Sequence, residues 1–458
     1  MSLENSYDLP RILESQERFF SSQKSRSLEF RKKCLRRLAS NIEERTDDIL
    51  DALRGDLGKP DLEAYVSEVY FTLSEIRHFI KHLSSWAKPQ KVGNPFYFFP
   101  AKSEIRREPF GTSLIVAPWN YPFQLSLSPL IAAVAAGNCV VLKPSEQARA
   151  TAELLEGLIK DSFEPEHVTV VNGGVEVGKG LLELPFKHWL YTGSESVGRI
   201  YAEAAAKHLA PIVLELGGKC PCVLDTDIDL DQAVERIAST KFFNAGQTCI
   251  APDFVVIPEE LHDSFVEKMK AALEGYFEDP DAPDLARIIS ASHYERLQKL
   301  ISANAIQVGE DDEAVSFLAP RILPGATWEC AAMTDEIFGP ILPVIAYRDT
   351  AEVLRQLSKL SSPLALYVFS RDKQFQETIA DSIQSGAICF NDAIKQATVL
   401  GLPFGGVGSS GMGRYRGKAG FEAFTYSRSV TTRYFFKDFF AVKPPYRGQF
   451  ERMRKFLK

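Results

Sequence analysis

Two side chains with the right chemistry for covalent acyl transfer stand in glycine-bearing segments of this chain. Cys249 ends the run Phe242-Phe-Asn-Ala-Gly-Gln-Thr-Cys249, and Glu215 lies 34 positions upstream in Leu214-Glu215-Leu-Gly-Gly-Lys219. A thiol on a polar, flexible segment can attack a carbonyl carbon, and a separately placed carboxylate can move protons for it. Taken singly, a buried cysteine and a solvated glutamate are the plainer readings. Together, each bracketed by glycine and small polar residues rather than aliphatics, they favour catalysis.

Other segments follow strand-like runs and carry chemistry of their own. Pro118-Trp119-Asn120 presents a side-chain amide, a neutral donor suited to a developing oxyanion, although such a segment alone is more often a turn. Lys143-Pro-Ser-Glu146 would face the crevice at the strand ends where α/β sheets bind ligands, and its Glu suits a pair of ribose hydroxyls. As an isolated pair it reads equally as surface charge. Gly193-Ser194 through Gly198 opens a helix whose free N–H groups can hold a pyrophosphate, but it is not G-x-G-x-x-G. Gly173 to Gly180 has the spacing of a phosphate loop, yet Gly180 stands where a hydroxyl should ligate Mg²⁺, which disfavours an NTPase. Glu336-Ile-Phe338-Gly-Pro340 and the glycine-dense run Leu402 to Gly413 read as loops. His78 and His82 share a helical face and read as structural, so no metal site is expected.

The elements that must position these residues are helical at first. From about Arg11 to Trp86 apolar residues recur at helical spacing, as in Leu35, Leu38, Ile42 and Ile49. From Ser113 short strands alternate with helices: Ser113–Ala117, Cys139–Leu142, His167–Val171 and Trp189–Tyr191. A second series begins near Leu214 and includes Phe254–Ile257, Ile341–Ile345, Leu364–Phe369 and Ala387–Phe390. Alternation of this kind predicts two parallel-sheet α/β domains in tandem, meeting near 212–215. The Pro- and aromatic-rich stretch from Lys88 to Glu108 reads as a hairpin or arm, and Leu125–Ala136 as a buried helix. At 458 residues the chain is too long for one core. A net charge of -7 gives no case for nucleic acid. Seven cysteines, with Cys220 and Cys222 lacking a second pair, read as reduced thiols of a cytoplasmic protein. The N-terminus does not look like a targeting peptide, and no stretch reaches the roughly 20 apolar residues of a membrane span. The tail after Ser427 is aromatic and basic, with Arg433, Lys437, Arg447 and Lys458 among its cations. Subunit contact or a loose end is the favoured reading of that tail over an anionic membrane surface.

In their order along the chain these segments resemble the aldehyde dehydrogenase superfamily, and the short N-terminus and Ala251-Pro-Asp253 resemble its class 3 branch. The resemblance implies a Rossmann-like cofactor domain (1–87 and 106–213), a catalytic domain (214–405) and a bridging, oligomerising arm (88–105 and 406–458). It implies oxidation of a medium-chain aliphatic or aromatic aldehyde to an acid. Cys249 would be the nucleophile, Asn120 with the Cys249 N–H the oxyanion holder, and Glu215 the base that activates water. Trp119, Lys143, Glu146, Gly193, Ser194, Gly198, Leu216, Glu336 and Phe338 fall at cofactor-binding positions. The implied cofactor is NAD, with NADP possible, and the implied assembly a homodimer without a membrane segment. The branch usually carries His where this chain has Gln396, Leu400 and Arg416, so the substrate is not implied. A CoA-acylating relative and a thiol esterase are the alternatives; the first dispenses with the base, and Glu215 is present.

Overall fold

The computed structural model describes residues 7–277, 284–436, 441–446 and 448–456. Of the tail cations, Lys437, Arg447 and Lys458 lie outside the described residues. The N-terminal region is helical, with Leu9–Ser21, Leu28–Glu44, Thr46–Leu57 and Phe71–Trp86 as its main helices. Asp8 and Ser27 cap the first two, each side chain accepting from a backbone N–H of the first turn. Leu35, Leu38, Ile42 and Ile49 are all fully buried, so the helical spacing does face a core. His78 and His82 pack their rings on Trp86 within that helical layer.

Sixteen strands form three sheets among the described residues. They are β1 (Gln90–Val92), β2 (Ala101–Pro109), β3 (Thr112–Val116), β4 (Cys139–Lys143), β5 (Val168–Val170), β6 (His188–Thr192), β7 (Ile212–Glu215) and β8 (Pro221–Leu224). The rest are β9 (Phe254–Pro258), β10 (Ile306–Gln307), β11 (Arg321–Pro324), β12 (Ile341–Tyr347), β13 (Ala365–Phe369), β14 (Ala387–Phe390), β15 (Gly411–Met412) and β16 (Thr425–Arg433). The first large sheet has the order β15-β7-β6-β3-β4-β5, parallel apart from β15. The second has the order β10-β11-β12-β9-β8-β13-β14, parallel apart from β10. A small antiparallel sheet joins β1, β2 and β16.

Both large sheets are covered on two faces, and alternation along each strand decides which core a residue joins. In the first sheet Ile115, Val140 and Leu142 enter one core while Leu114, Val116 and Val141 enter the other. In the second, Cys222, Val255 and Val344 face away from Val223, Val256 and Ile345. Each such fully buried aliphatic contributes about 1.5–3 kcal/mol. The helix Gln124–Ala136 is buried along its whole length, lodged between the first sheet and the N-terminal helices.

The domain limits differ from those expected at three places. β7 pairs in parallel with β6, so Leu214 and Glu215 end the first sheet, and the second opens at Pro221. The Cys220-Pro-Cys222 segment hid that opening strand. The arm's strand β2 runs to Pro109, beyond 105. Of the segment 406–458, Gly411–Met412 pair with β7, and Tyr415, Phe421 and Phe424 enter the first core; β16 alone joins the arm sheet. A glycine run has no side-chain period to announce a strand. The glycine at 411 is needed, since a Cβ there would collide with the Leu214 carbonyl.

Candidate active site

The sequence-marked loops leave the carboxyl ends of neighbouring strands, where crevices form in open α/β sheets. Trp119 and Asn120 follow β3, Gly193 and Ser194 follow β6, and Glu215 ends β7. Cys249 comes from the second half of the chain, on a loop folded by three consecutive left-handed residues. Asn244, Ala245 and Gly246 have φ of 54°, 52° and 71°. Asn and Gly tolerate that conformation, and a Cβ on Gly246 would collide with the Gly339 carbonyl.

A buried polar network ties the Asn120 loop to the Cys249 loop. Asn120 Nδ2 donates to the Gln247 carbonyl at 2.9 Å. The Asn120 carbonyl accepts from Asn244 Nδ2 at 2.8 Å and from Lys59 Nζ at 3.2 Å. Lys59 is ion-paired with Glu68, whose other oxygen accepts from the Phe123 and Gln124 N–H groups. Glu63 accepts from the Asn244 N–H at 2.7 Å, and Tyr121 Oη meets Thr248 Oγ1 at 2.7 Å. Burial pushes the Glu63 carboxyl up to about 7 against the pull of Lys59 and the Asn244 N–H. Asn244 and Gln247 lay inside the segment quoted for Cys249. Lys59, Glu63 and Glu68 gave no sequence signal, because their pairing is tertiary.

Beside Cys249 the wiring stops. Neither Glu215 oxygen has a hydrogen-bond partner, and burial holds its carboxyl well above the ordinary range against the guanidinium groups of Arg416 and Arg414. Burial also pushes the Cys249 thiol up to about 12, with Glu336 and Glu215 adding to the rise and Arg416 opposing it. The Glu336 carboxyl rises to about 8 through burial and Asp253, opposed by the Gly218 N–H, Lys219 and Lys241. Lys219 pairs with Asp253 and donates to the carbonyls of Ala332 and Asp335, which pins the Glu336 loop. Lys241 Nζ is buried without a partner, and desolvation lowers it to about 8.

One cleft of about 630 Å³ is lined by Trp119, Asn120, Gly193, Ser194, Glu215, Leu216, Cys249, Glu336 and Phe338. Thus nine of the twelve residues marked from the sequence converge. Trp119 and Phe338 meet edge to face at 5.3 Å. Lys143, Glu146 and Gly198 are not on the cleft wall. Lys143 Nζ holds Glu146 at 2.9 Å at the end of β4, and Gly198 is a close-packing position where a Cβ would press on Leu216. The helix Glu195–Lys207 starts at Ser194 without a side-chain cap, leaving first-turn N–H groups open to a phosphate.

A thiol, an unpartnered carboxyl and an uncapped helix end in one cleft suit a class: an enzyme joining cysteine chemistry to a phosphate-bearing cofactor. Comparison with known proteins makes this specific. Residues 2–430 match the aldehyde dehydrogenase family, and the chain belongs to it. It is 39% identical over 445 residues to the 4,4'-diaponeurosporen-aldehyde dehydrogenase of Staphylococcus aureus, covering 96% of this chain and 97% of that one. It is 42% identical to the dimeric NADP-preferring aldehyde dehydrogenase of Canis lupus familiaris, covering 90% and 92%. The substrate-bound Staphylococcus aureus AldH structure superposes with a TM-score of 0.95 at 38% identity, covering 99% of this chain and 100% of that one. The protein is an oxidoreductase that oxidises aldehydes with NAD or NADP.

Proposed function

We propose that Cys249, Asn120 and Glu215 carry the reaction, and that its substrates are medium-chain aliphatic or aromatic aldehydes. The convergence of the three on one cleft is the observation that supports this. The Cys249 thiol gives up its proton to solvent and Sγ attacks the aldehyde carbon, forming the S–C bond while the carbonyl π pair moves to oxygen. Asn120 Nδ2 bears two hydrogens; Gln247 takes one, and the other, with the Cys249 N–H, holds the oxyanion. Loss of hydride from this adduct, for which a nicotinamide held in the cleft would supply the acceptor, would leave a thioester on Cys249. Glu215 then takes a proton from water, the hydroxide adds to the thioester, and the acid and thiolate separate. Phe404, which lines the cleft with Cys249, supplies apolar surface for the substrate chain.

The residues present fit a dinucleotide. Gly193 and Ser194 at the uncapped helix end would hold the pyrophosphate. Glu146 with Lys143 would meet the adenosine ribose, and Glu336 with Phe338 the nicotinamide ribose. Trp119 and Leu216 would wall the cofactor, with Gly198 letting the helix approach. Glu146 favours NAD, and a relative named NADP-preferring supports NADP as an alternative. A cytoplasmic homodimer is the assembly proposed, supported by seven unpaired cysteines and by exposed Phe99, Tyr434 and Phe435 around the arm.

The test is reduction of NAD⁺ and of NADP⁺ with a panel of aldehydes, wild type beside Cys249→Ala, with and without CoA. Cysteine-dependent turnover without CoA is expected. Turnover that requires CoA would replace this reading with acyl transfer, and ester cleavage without cofactor reduction would replace it with hydrolysis.

A further inference from the structure

We infer that Arg416 receives a carboxylate at the far end of the aldehyde, so that the preferred substrates are ω-carboxyaldehydes. This rests on the proposed reaction and names the substrate class for the same thiol. A second cavity, of about 240 Å³, shares Phe404 with the Cys249 cleft. Its walls include Ala387, Ile388, Ala397, Leu402 and Pro403, a surface suited to methylene groups, and its charged member is Arg416.

Arg416 is 7% exposed, and among the described residues no carboxylate lies within ion-pair distance of it. The guanidinium carbon lies 4.3 Å from the Phe404 ring centre, 4.9 Å from Phe71 and 5.6 Å from Tyr415. Aromatic faces solvate a cation in part and leave its N–H edge for an anion. On that edge Nη1 donates to the Ala397 carbonyl, while Nε is buried with no hydrogen-bond partner among the described residues. A buried cation without a counter-ion is costly, and a carboxylate docking on the edge with charge-assisted hydrogen bonds removes that cost.

The nearest acidic groups are Glu75 and Glu215, and neither reaches Arg416 at ion-pair distance. Burial raises both carboxyls even though Arg416 draws each down, and Glu75 Oε2 accepts from Ser128 Oγ while its Oε1 has no partner. Arg414 spends its guanidinium on the carbonyls of Gly406 and Gly413. Arg416 is also rigidly placed. Phe404 and Tyr415 exchange both backbone hydrogen bonds at 2.8 Å, and Arg416 follows with φ of 76° at the start of the helix Gly417–Ala423. The fold holds the guanidinium against the same phenylalanine that walls the reactive thiol. The distal carboxylate is not altered in the reaction; bond changes stay at the aldehyde carbon, and the product is a dicarboxylate.

The experiment compares ω-carboxyaldehydes of increasing chain length with unsubstituted and ω-hydroxy aldehydes of matched length, in wild type, Arg416→Met and Arg416→Lys. In wild type the carboxylated series is expected to show a KM lower by about tenfold or more at its best length. In Arg416→Met the ratio of kcat/KM between carboxylated and unsubstituted partners falls by a similar factor, carried by KM, and Arg416→Lys restores part of it. Should Arg416→Met not fold, wild type answers alone. The matched dicarboxylate must then inhibit turnover of an unsubstituted aldehyde more tightly than the monocarboxylate does. Equal KM values across the series, a preference for the hydroxy series, or equal inhibition by the two acids would overturn the inference. Wild-type turnover of unsubstituted aldehydes reports on the reaction itself, so failure of that reaction is distinguishable.

Discussion

Two buried polar regions flank the Cys249 loop, and they are built on opposite principles. Behind Asn120, Glu68 meets an ammonium and two backbone N–H groups, and Lys59 meets a carboxylate and a carbonyl. Around the thiol, neither oxygen of the buried Glu215 has a hydrogen-bond partner. Satisfied buried groups fix geometry, whereas unsatisfied ones cost free energy and are tolerated where a reactant completes them. On the proposed reaction, the first region positions and the second reacts. Variants in the two should therefore fail differently, one in folding and the other in turnover.

The largest expected effect is that of Cys249→Ala. Loss of the nucleophile should lower cofactor reduction by about 10⁴-fold or more. The melting temperature should stay within a few degrees, because the lost side chain is small and partly exposed. A melting shift as large as that of the network variants would merge the two regions into one structural unit.

Glu215→Gln comes next, with steady-state turnover down by about 10²- to 10⁴-fold. A rapid burst of reduced cofactor should survive, since hydride loss precedes hydrolysis. The pH behaviour sharpens the contrast. The folded-state carboxyl lies well above its ordinary value, so between the two values the folded protein holds the extra proton. Stability contributed by Glu215 is then present in acid and lost as pH rises. In Glu215→Gln that component of the pH slope of unfolding should disappear. Wild-type turnover should climb towards alkaline pH, as Glu215 and the Cys249 thiol, held up to about 12, both ionise. A burst lost together with turnover would show that Glu215 acts before hydride transfer.

Lys59→Met should show the opposite pattern. It strands Glu68 as a buried charge, at a cost of about 3–5 kcal/mol on the scale of broken buried pairs. Denaturant unfolding should register that loss, with turnover falling only as far as the Asn120 loop loosens. An unchanged unfolding midpoint would mean that Glu68 takes up a proton or another partner, and that the pair does not brace the loop.

The same division explains what could be read in the chain. That Cys249, Glu215 and Asn120 would come together on one cleft was legible because they sit on loops at strand ends, where local composition changes abruptly. The double-wound cores were legible from short alternating runs such as Cys139–Leu142. β15 was not, since Gly411–Met412 pair through backbone alone. The Lys59–Glu68 brace and the isolation of Arg416 were not, because burial of a charge depends on partners distant in sequence. Lys143 and Glu146 stand at the foreseen strand end yet are not among the residues that line the Cys249 cleft, and no strand pattern encodes that.

That displaced pair carries the smallest expected effect. Glu146 is 44% exposed in its side chain while Lys143 is 7% exposed, so solvent screens the carboxylate and leaves the ammonium in place. A negative charge about 4 Å from a 2′-phosphate in high dielectric opposes it by about 1 kcal/mol, roughly a fivefold preference for the cofactor without that phosphate. Glu146→Gln should therefore raise the ratio of kcat/KM for NADP⁺ over NAD⁺ by about that factor. The freed Lys143 ammonium becomes available to the phosphate, and the effect should shrink as salt is added. A ratio that does not move would place the ribose away from Glu146 and remove the electrostatic ground for favouring NAD. A ratio that rises without any response to salt would make the cause steric rather than charge.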